Sequence, residues 1–168
     1  MKAPLLIALA TLLSGPTAGA QECSRQITPT APDSRYELLN QGAEVLDHQT
    51  RLVWQRCPAG MRWSGQSCEG SAKTMMWIDA LQSARQAGPG WRLPNIKELR
   101  SLVERSCREP ALNTTLFPMS GNIGYAFWSS TSDGETSIGA MTFDFVLGKL
   151  EETSKDNDEP FVRLVRYP

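Results

Sequence analysis

The order of secondary-structure signals predicts a single α+β domain built on a small antiparallel sheet. Short β-like runs come first, two helical segments occupy the middle, and β-like runs separated by turn-rich stretches close the chain. The first set is Tyr36 to Leu39, Ala43 to Asp47 and Leu52 to Arg56. Asn40, Gln41 and Gly42 divide the first pair and the polar turn Asp47 to Thr50 the second, which is the layout of a meander.

Two helices are expected next. Trp77, Leu81 and Ala84 recur at the spacing of one buried helical face between Thr74 and Gln86, and Gly88, Pro89 and Gly90 stop that helix. After Pro94, Asn95 can cap free backbone N–H groups while Glu98, three residues on, reaches back. Ile96, Leu99, Leu102 and Val103 then form an apolar stripe that runs out near Cys107, Glu109 and Pro110. Arg100, Arg105 and Arg108 alternate with Glu98, Glu104 and Glu109, the pattern of a solvated mixed-charge face. The closing strands are Tyr125 to Ser130, Ile138 to Val146, Lys149 to Thr153 and Phe161 to Tyr167, with breaks at Ser132 to Glu135, Gly148 and Ser154 to Pro160.

Residues 1–20 read as a secretory signal peptide. Met1 and Lys2 give a positive start, Leu5 to Leu13 is apolar, Ser14, Gly15 and Pro16 break the run, and Ala18, Gly19 and Ala20 form a small-residue cleavage site. The apolar run is far shorter than the roughly 20 residues that cross a bilayer, so no stable membrane insertion is expected after cleavage. Residues 21–168 then form one secreted or periplasmic domain, with 21–34 as an extended polar arm carrying Pro29 and Pro32. A net charge of −1 and a pI near 5.9 give no basic footprint, so no nucleic-acid partner is expected.

All four cysteines, Cys23, Cys57, Cys68 and Cys107, lie beyond the leader, and an even number in an oxidising compartment points to disulfides. Three connectivities are open. Cys57 and Cys68 stand close together among Pro58, Gly60, Gly65 and Gly70, which suits a stapled surface loop better than a strand or helix and leaves Cys23 for Cys107. A zinc site has little basis, because no C-x-x-C is present and His48 is the only histidine.

Candidate chemistry is sparse. In the block Trp91 to Asn95, the Trp and Leu are expected to fill core, Arg92 to bridge loops, and Pro94 and Asn95 to start a helix; Trp128 is likewise a core residue, with the hydroxyls of Ser129, Ser130 and Thr131 satisfying loop backbone. Asp133 and Glu135 flank Gly134, and Asp156, Asn157 and Asp158 precede Glu159 in the last loop. These five are the candidate ligand-binding residues. Clustered oxygens are what calcium takes, but neither run has EF-hand spacing, so solvated hairpin tips are the competing reading and no cofactor is required. His48 sits in a turn with no nearby Ser or Cys partner, so an enzyme is not expected. Asn113 to Thr115 matches a glycosylation sequon, a frequent chance match.

Several stretches in order carry a family resemblance: Val45 to Trp54, Gln55 to Pro58, Gly65 to Gly70, Trp77 to Ala80, Trp91 to Leu102, Pro110 to Pro118, Phe127 to Thr131 and Val162 to Arg166. Together the chain from about residue 23 to 168 resembles the Lcl C-terminal domain family, named after the C-terminal domain of a bacterial collagen-like adhesin. The resemblance implies a C-type-lectin-like fold, with two helices on a sheet where N- and C-terminal strands meet and long loops presenting a binding surface. It also supports pairing Cys57 with Cys68 and Cys23 with Cys107. The acidic D-N-G-D-G-T turn common in the family is replaced here by Leu39 to Glu44. The expected function is a non-catalytic binding module for a glycan or other surface polymer, or else an accessory protein of an envelope assembly that binds a surface protein.

Overall fold

A computed structural model describes residues 21–119, 126–134 and 138–168. The leader reading of residues 1–20 falls outside these, as do Tyr125 and Glu135. A short strand β1 (Glu22–Cys23) precedes the meander of β2 (Tyr36–Leu39), β3 (Glu44–Asp47) and β4 (Leu52–Gln55). A hairpin of β5 (Met61–Trp63) and β6 (Cys68–Gly70) leads to helices α1 (Trp77–Gln86) and α2 (Ile96–Ser101). Then come β7 (Cys107–Arg108), β8 (Ala126–Ser132), β9 (Gly139–Asp144), β10 (Lys149–Ser154) and β11 (Val165–Arg166). The architecture is α+β, with several small antiparallel sheets joined by long loops.

The central sheet has the order β11-β4-β3-β2, so strands from the two ends of the domain meet in it, with Trp54 opposite both Val45 and Val165. Leu52, Val53 and Trp54 are all buried, because β4 lies inside the sheet and is covered on both faces. A second sheet, β10-β9-β8, docks through Phe161, whose backbone bridges Phe127 on β8. Trp54, Leu99, Leu102, Phe117, Phe127, Phe143 and Phe145 fill the space between them.

A second cluster lies under α1. Ala80 and Ala84 are its most buried helical residues, whereas Trp77 and Leu81 are only half-buried. Small side chains at these two positions, one turn apart, let the helix sit close against Trp128. The Trp128 indole is fully buried as expected and donates to the Met75 carbonyl at 2.8 Å. Next to it, β8 bulges against β9 between Trp128 and Ser132. The hydroxyls of that run satisfy the displaced backbone: Ser129 Oγ donates to the Met141 carbonyl at 2.6 Å, and Thr131 Oγ1 accepts the Ile96 N–H at 3.0 Å.

The capping box of α2 is complete, with Asn95 Oδ1 accepting the Glu98 N–H and Glu98 Oε2 accepting the Asn95 N–H. The helix ends at Ser101, earlier than its apolar stripe suggests. Val103 leaves it to bridge Leu112, and Glu104 turns inward. Glu104 is therefore no part of a solvated face. It is buried and accepts four hydrogen bonds, from the N–H groups of Thr30, Ala31 and Ser106 and from the Ser106 hydroxyl. Arg100, Arg105 and Arg108 do face solvent.

Cys23 is bridged to Cys107 and Cys57 to Cys68, and among the described residues no cysteine is free. The arm is held by more than its disulfide. Asn113 Nδ2 donates to the Ala31 carbonyl at 2.9 Å, and Glu104 gathers the arm's backbone N–H groups. Nor is the segment inside the short bridge an irregular loop. It is the β5–β6 hairpin, turned at Gly65 with φ +101°, and its three-residue strands are too short for alternation to show in sequence.

Candidate ligand-binding groove

The segment before β3 runs through left-handed backbone at Asn40, Gln41 and Gly42. At Gly42, with φ +86°, a side-chain Cβ would come within 3.0 Å of Trp63 Nε1, so glycine is what lets the indole approach. Arg56 holds the indole from above, its guanidinium 3.6 Å from the ring centroid. The guanidinium is itself fixed by the Gly42 and Thr115 carbonyls, which accept from Nη1 and Nη2 at 3.3 and 2.9 Å.

A second indole is held in a parallel way. Arg166, on β11, lies 5.2 Å over Trp91, and its Nη2 donates to Glu44 Oε2 at 2.6 Å. Between the two lies a groove of about 260 Å³, lined by Asn40, Glu44, Gln55, Met61, Trp63 and Trp91 among others. Trp91 is half-buried: it packs against the cluster of Ala80, Ala84, Leu93 and Trp128, as its sequence block suggests, and it also lines the groove, while Leu93 beside it is fully buried. Arg92 does bridge segments, with a forked pair to Glu98 at 2.7 and 2.8 Å.

Below the groove, the backbone carbonyls of Gln55 and Arg56 both accept from Nη1 of Arg163, the former at 3.0 Å. Arg163 is fully buried, with its guanidinium over the rings of Phe117 and Phe127 and without a carboxylate partner among the described residues. Burial pushes its pKa down to about 9, so it keeps its charge at neutral pH. Two arginines, one buried and one nearly so, thereby brace the strand that carries Gln55 from below and Trp63 from above.

The acidic candidates lie elsewhere, on the loops flanking the second sheet. Asp156, Asn157 and Asp158 are exposed in the turn after β10, where Asp158 Oδ2 accepts the Ser154 N–H at 3.1 Å and closes the turn. Asp133 is half-buried, and its N–H donates to the Gly139 carbonyl. Among the links between the two loops are the Lys155 N–H, which donates to the Ile138 carbonyl at 2.9 Å, and the Lys155 Nζ, which donates to Ser132 Oγ at 2.7 Å. Among the described residues no group of three or more His, Cys, Asp or Glu is placed to hold a metal ion. Asp158 also lines a groove of about 450 Å³ with Glu151, Glu152 and Glu159. His48 is exposed and paired with Glu37 at 3.3 Å.

Residues 43–166 match the Lcl C-terminal domain. The chain belongs to the Lcl C-terminal domain family. Most of the groove falls inside the matched span, with Asn40 just before it. A search of curated proteins finds no match to this Lcl C-terminal domain chain. Nothing in the sequence marks the half-buried Trp63 as a groove residue; the one cue is its place two residues before Gly65, inside the disulfide loop.

Proposed function

We propose that this Lcl C-terminal domain is a non-catalytic, extracytoplasmic binding module that takes a neutral glycan against Trp63 and Trp91. The observation that carries the reading is the pair of indoles on one groove, each set in place by an arginine. Aromatic faces meet the apolar C–H faces of sugar rings, and the amphipathic indole adds a donor at its edge. Glu44, Gln55 and Asn40 supply acceptors and donors for ring hydroxyls. The groove is small beside clefts that enclose drug-sized ligands, and its scale is that of a single sugar ring lying flat. Both walls are braced before any ligand arrives, which limits the ordering cost of binding.

Two disulfides accord with an oxidising compartment, and among the described residues no helix is long and apolar enough to cross a membrane. The near-neutral charge disfavours a sulfated polyanion as ligand. A glycan array with and without calcium, followed by titration calorimetry on hits, tests the reading. Binding should be calcium-independent and lost in Trp63→Ala and Trp91→Ala variants that keep the native circular-dichroism spectrum. A folded protein that binds no saccharide overturns it. A protein partner is the second reading, favoured by the exposed apolar Ile78 and Ile138. Capture of one stoichiometric envelope protein, abolished by charges at those two positions, would establish it.

A further inference from the structure

The residue just after the predicted cleavage site is Gln21, and an N-terminal glutamine is prone to cyclise. Its α-amino nitrogen attacks its own side-chain carbonyl carbon, a new C–N bond closes a five-membered lactam, and the Cδ–Nε2 bond breaks with loss of ammonia, which carries away the amine proton. No oxidant or cofactor is needed. The reaction requires the carboxamide to fold back over its own backbone nitrogen.

In the structure that carboxamide is committed elsewhere. Nε2 donates to the carbonyls of Pro110 and Leu112 at 2.6 and 2.7 Å, which uses both of its N–H bonds, and Oε1 accepts the Thr114 hydroxyl at 3.0 Å. The residue's own backbone is pinned by its two neighbours in the chain. Glu22 and Cys23 pair with Arg108 and Cys107 in the β1–β7 ladder, Cys23 is bridged to Cys107, and Glu22 accepts from Arg108 Nε at 2.9 Å. Gln21 thus lines the end of a groove of about 560 Å³ that runs along the seam between the arm and the 112–115 segment.

We propose that Gln21 is the first residue of the exported chain and that the fold, by clamping its carboxamide on Pro110, Leu112 and Thr114, protects it from conversion to pyroglutamate. Folding and cyclisation compete for the same group. Three hydrogen bonds must open before the side chain can reach the amine, and their combined strength slows the reaction roughly tenfold or more relative to the unfolded chain. The protected terminus keeps both its carboxamide anchor and its α-ammonium charge; the cyclised one loses both.

The full chain, expressed with its leader in a secreting host, is recovered and its intact mass measured, then followed during incubation in neutral phosphate buffer with and without urea. The expected result is a chain that begins at Gln21 with its ammonia retained, which loses ammonia quickly in urea and at least tenfold more slowly when folded. Thr114→Val should lose ammonia faster than the parent in the folded state and at the same rate in urea. A chain starting elsewhere overturns the proposal. So does a native chain recovered already cyclised, or equal rates with and without urea. The folded-against-unfolded comparison needs no variant, so it stands even where Thr114→Val fails to fold.

Discussion

The Glu104 carboxylate accepts the backbone N–H of Ala31 at 2.7 Å, across 73 positions of chain. With the N–H groups of Thr30 and Ser106 and the Ser106 hydroxyl it makes four bonds and faces no cation among them. A glutamine there keeps one oxygen and presents an amide where an acceptor is needed. Glu104→Gln should therefore cost about 1–3 kcal/mol in urea unfolding and speed tryptic cleavage at Arg25 in the arm. Unchanged stability would show that the carboxylate is dispensable.

Acid should unfold the domain through the same group and two others. Burial pushes the Asp47 carboxyl up, but hydrogen bonds from Arg35, Thr50 and Gln49 and the Arg35 charge outweigh it and hold the pKa below normal. Glu104 and Glu98 are likewise held down against burial, by the Ser106, Ala31 and Thr30 donors and by Arg92 and the Asn95 N–H. A depressed folded pKa gives stability that is present above the unfolded value and disappears as pH falls through the folded one. Urea midpoints should be level above about pH 5 and drop below about pH 4. Asp47→Asn should flatten part of that slope; an unchanged slope would exclude Asp47 as a contributor.

Arg163 has no ion pair to lose among the described residues, so its worth lies in shape. Its planar guanidinium fits between Phe117 and Phe127 while one nitrogen serves two carbonyls. Lysine keeps the charge and loses the plane. Arg163→Lys should cost about 1–3 kcal/mol by chemical denaturation. A neutral result would mean that charge alone suffices there.

The bridges close loops of very different length. Chain-entropy arithmetic gives about 3 kcal/mol for Cys57–Cys68 and about 4.5 for Cys23–Cys107. Replacing each pair with serine and measuring denaturant midpoints should rank the long bridge above the short one. Only the short-bridge variant should weaken saccharide binding, since that bridge holds the Trp63 hairpin.

Gly42→Ala probes the groove directly. Its φ of +86° and the 3.0 Å approach to Trp63 Nε1 make alanine strained, by about 1–2 kcal/mol, and push the indole off Arg56. Tryptophan fluorescence should shift and saccharide affinity fall. Wild-type affinity in this variant would argue against Trp63 as a wall of the site.

Local chemistry was legible in the sequence and distant chemistry was not. Asn95 and Glu98 announce their capping box because both partners lie within four residues, and the meander shows through its turns. Glu104 reads as a surface charge because two of the N–H groups it accepts, those of Thr30 and Ala31, belong to an arm more than 70 positions away. Trp91 sits in a block whose neighbours are core, and only the placement of Arg166 and Glu44 beside it makes a groove. The acidic loops drew attention by composition, yet Lys155 stands between them.

The pairing of Trp54 with Val165 sets the timing of assembly. Strand β4 of the main sheet lacks one neighbour until residues more than a hundred positions further along the chain have been synthesised. Early segments therefore cannot lock into a finished sheet by themselves, and such non-local topology folds slowly. Until β11 arrives the earlier segments stay pliable, and its two residues close the sheet from the far end of the domain.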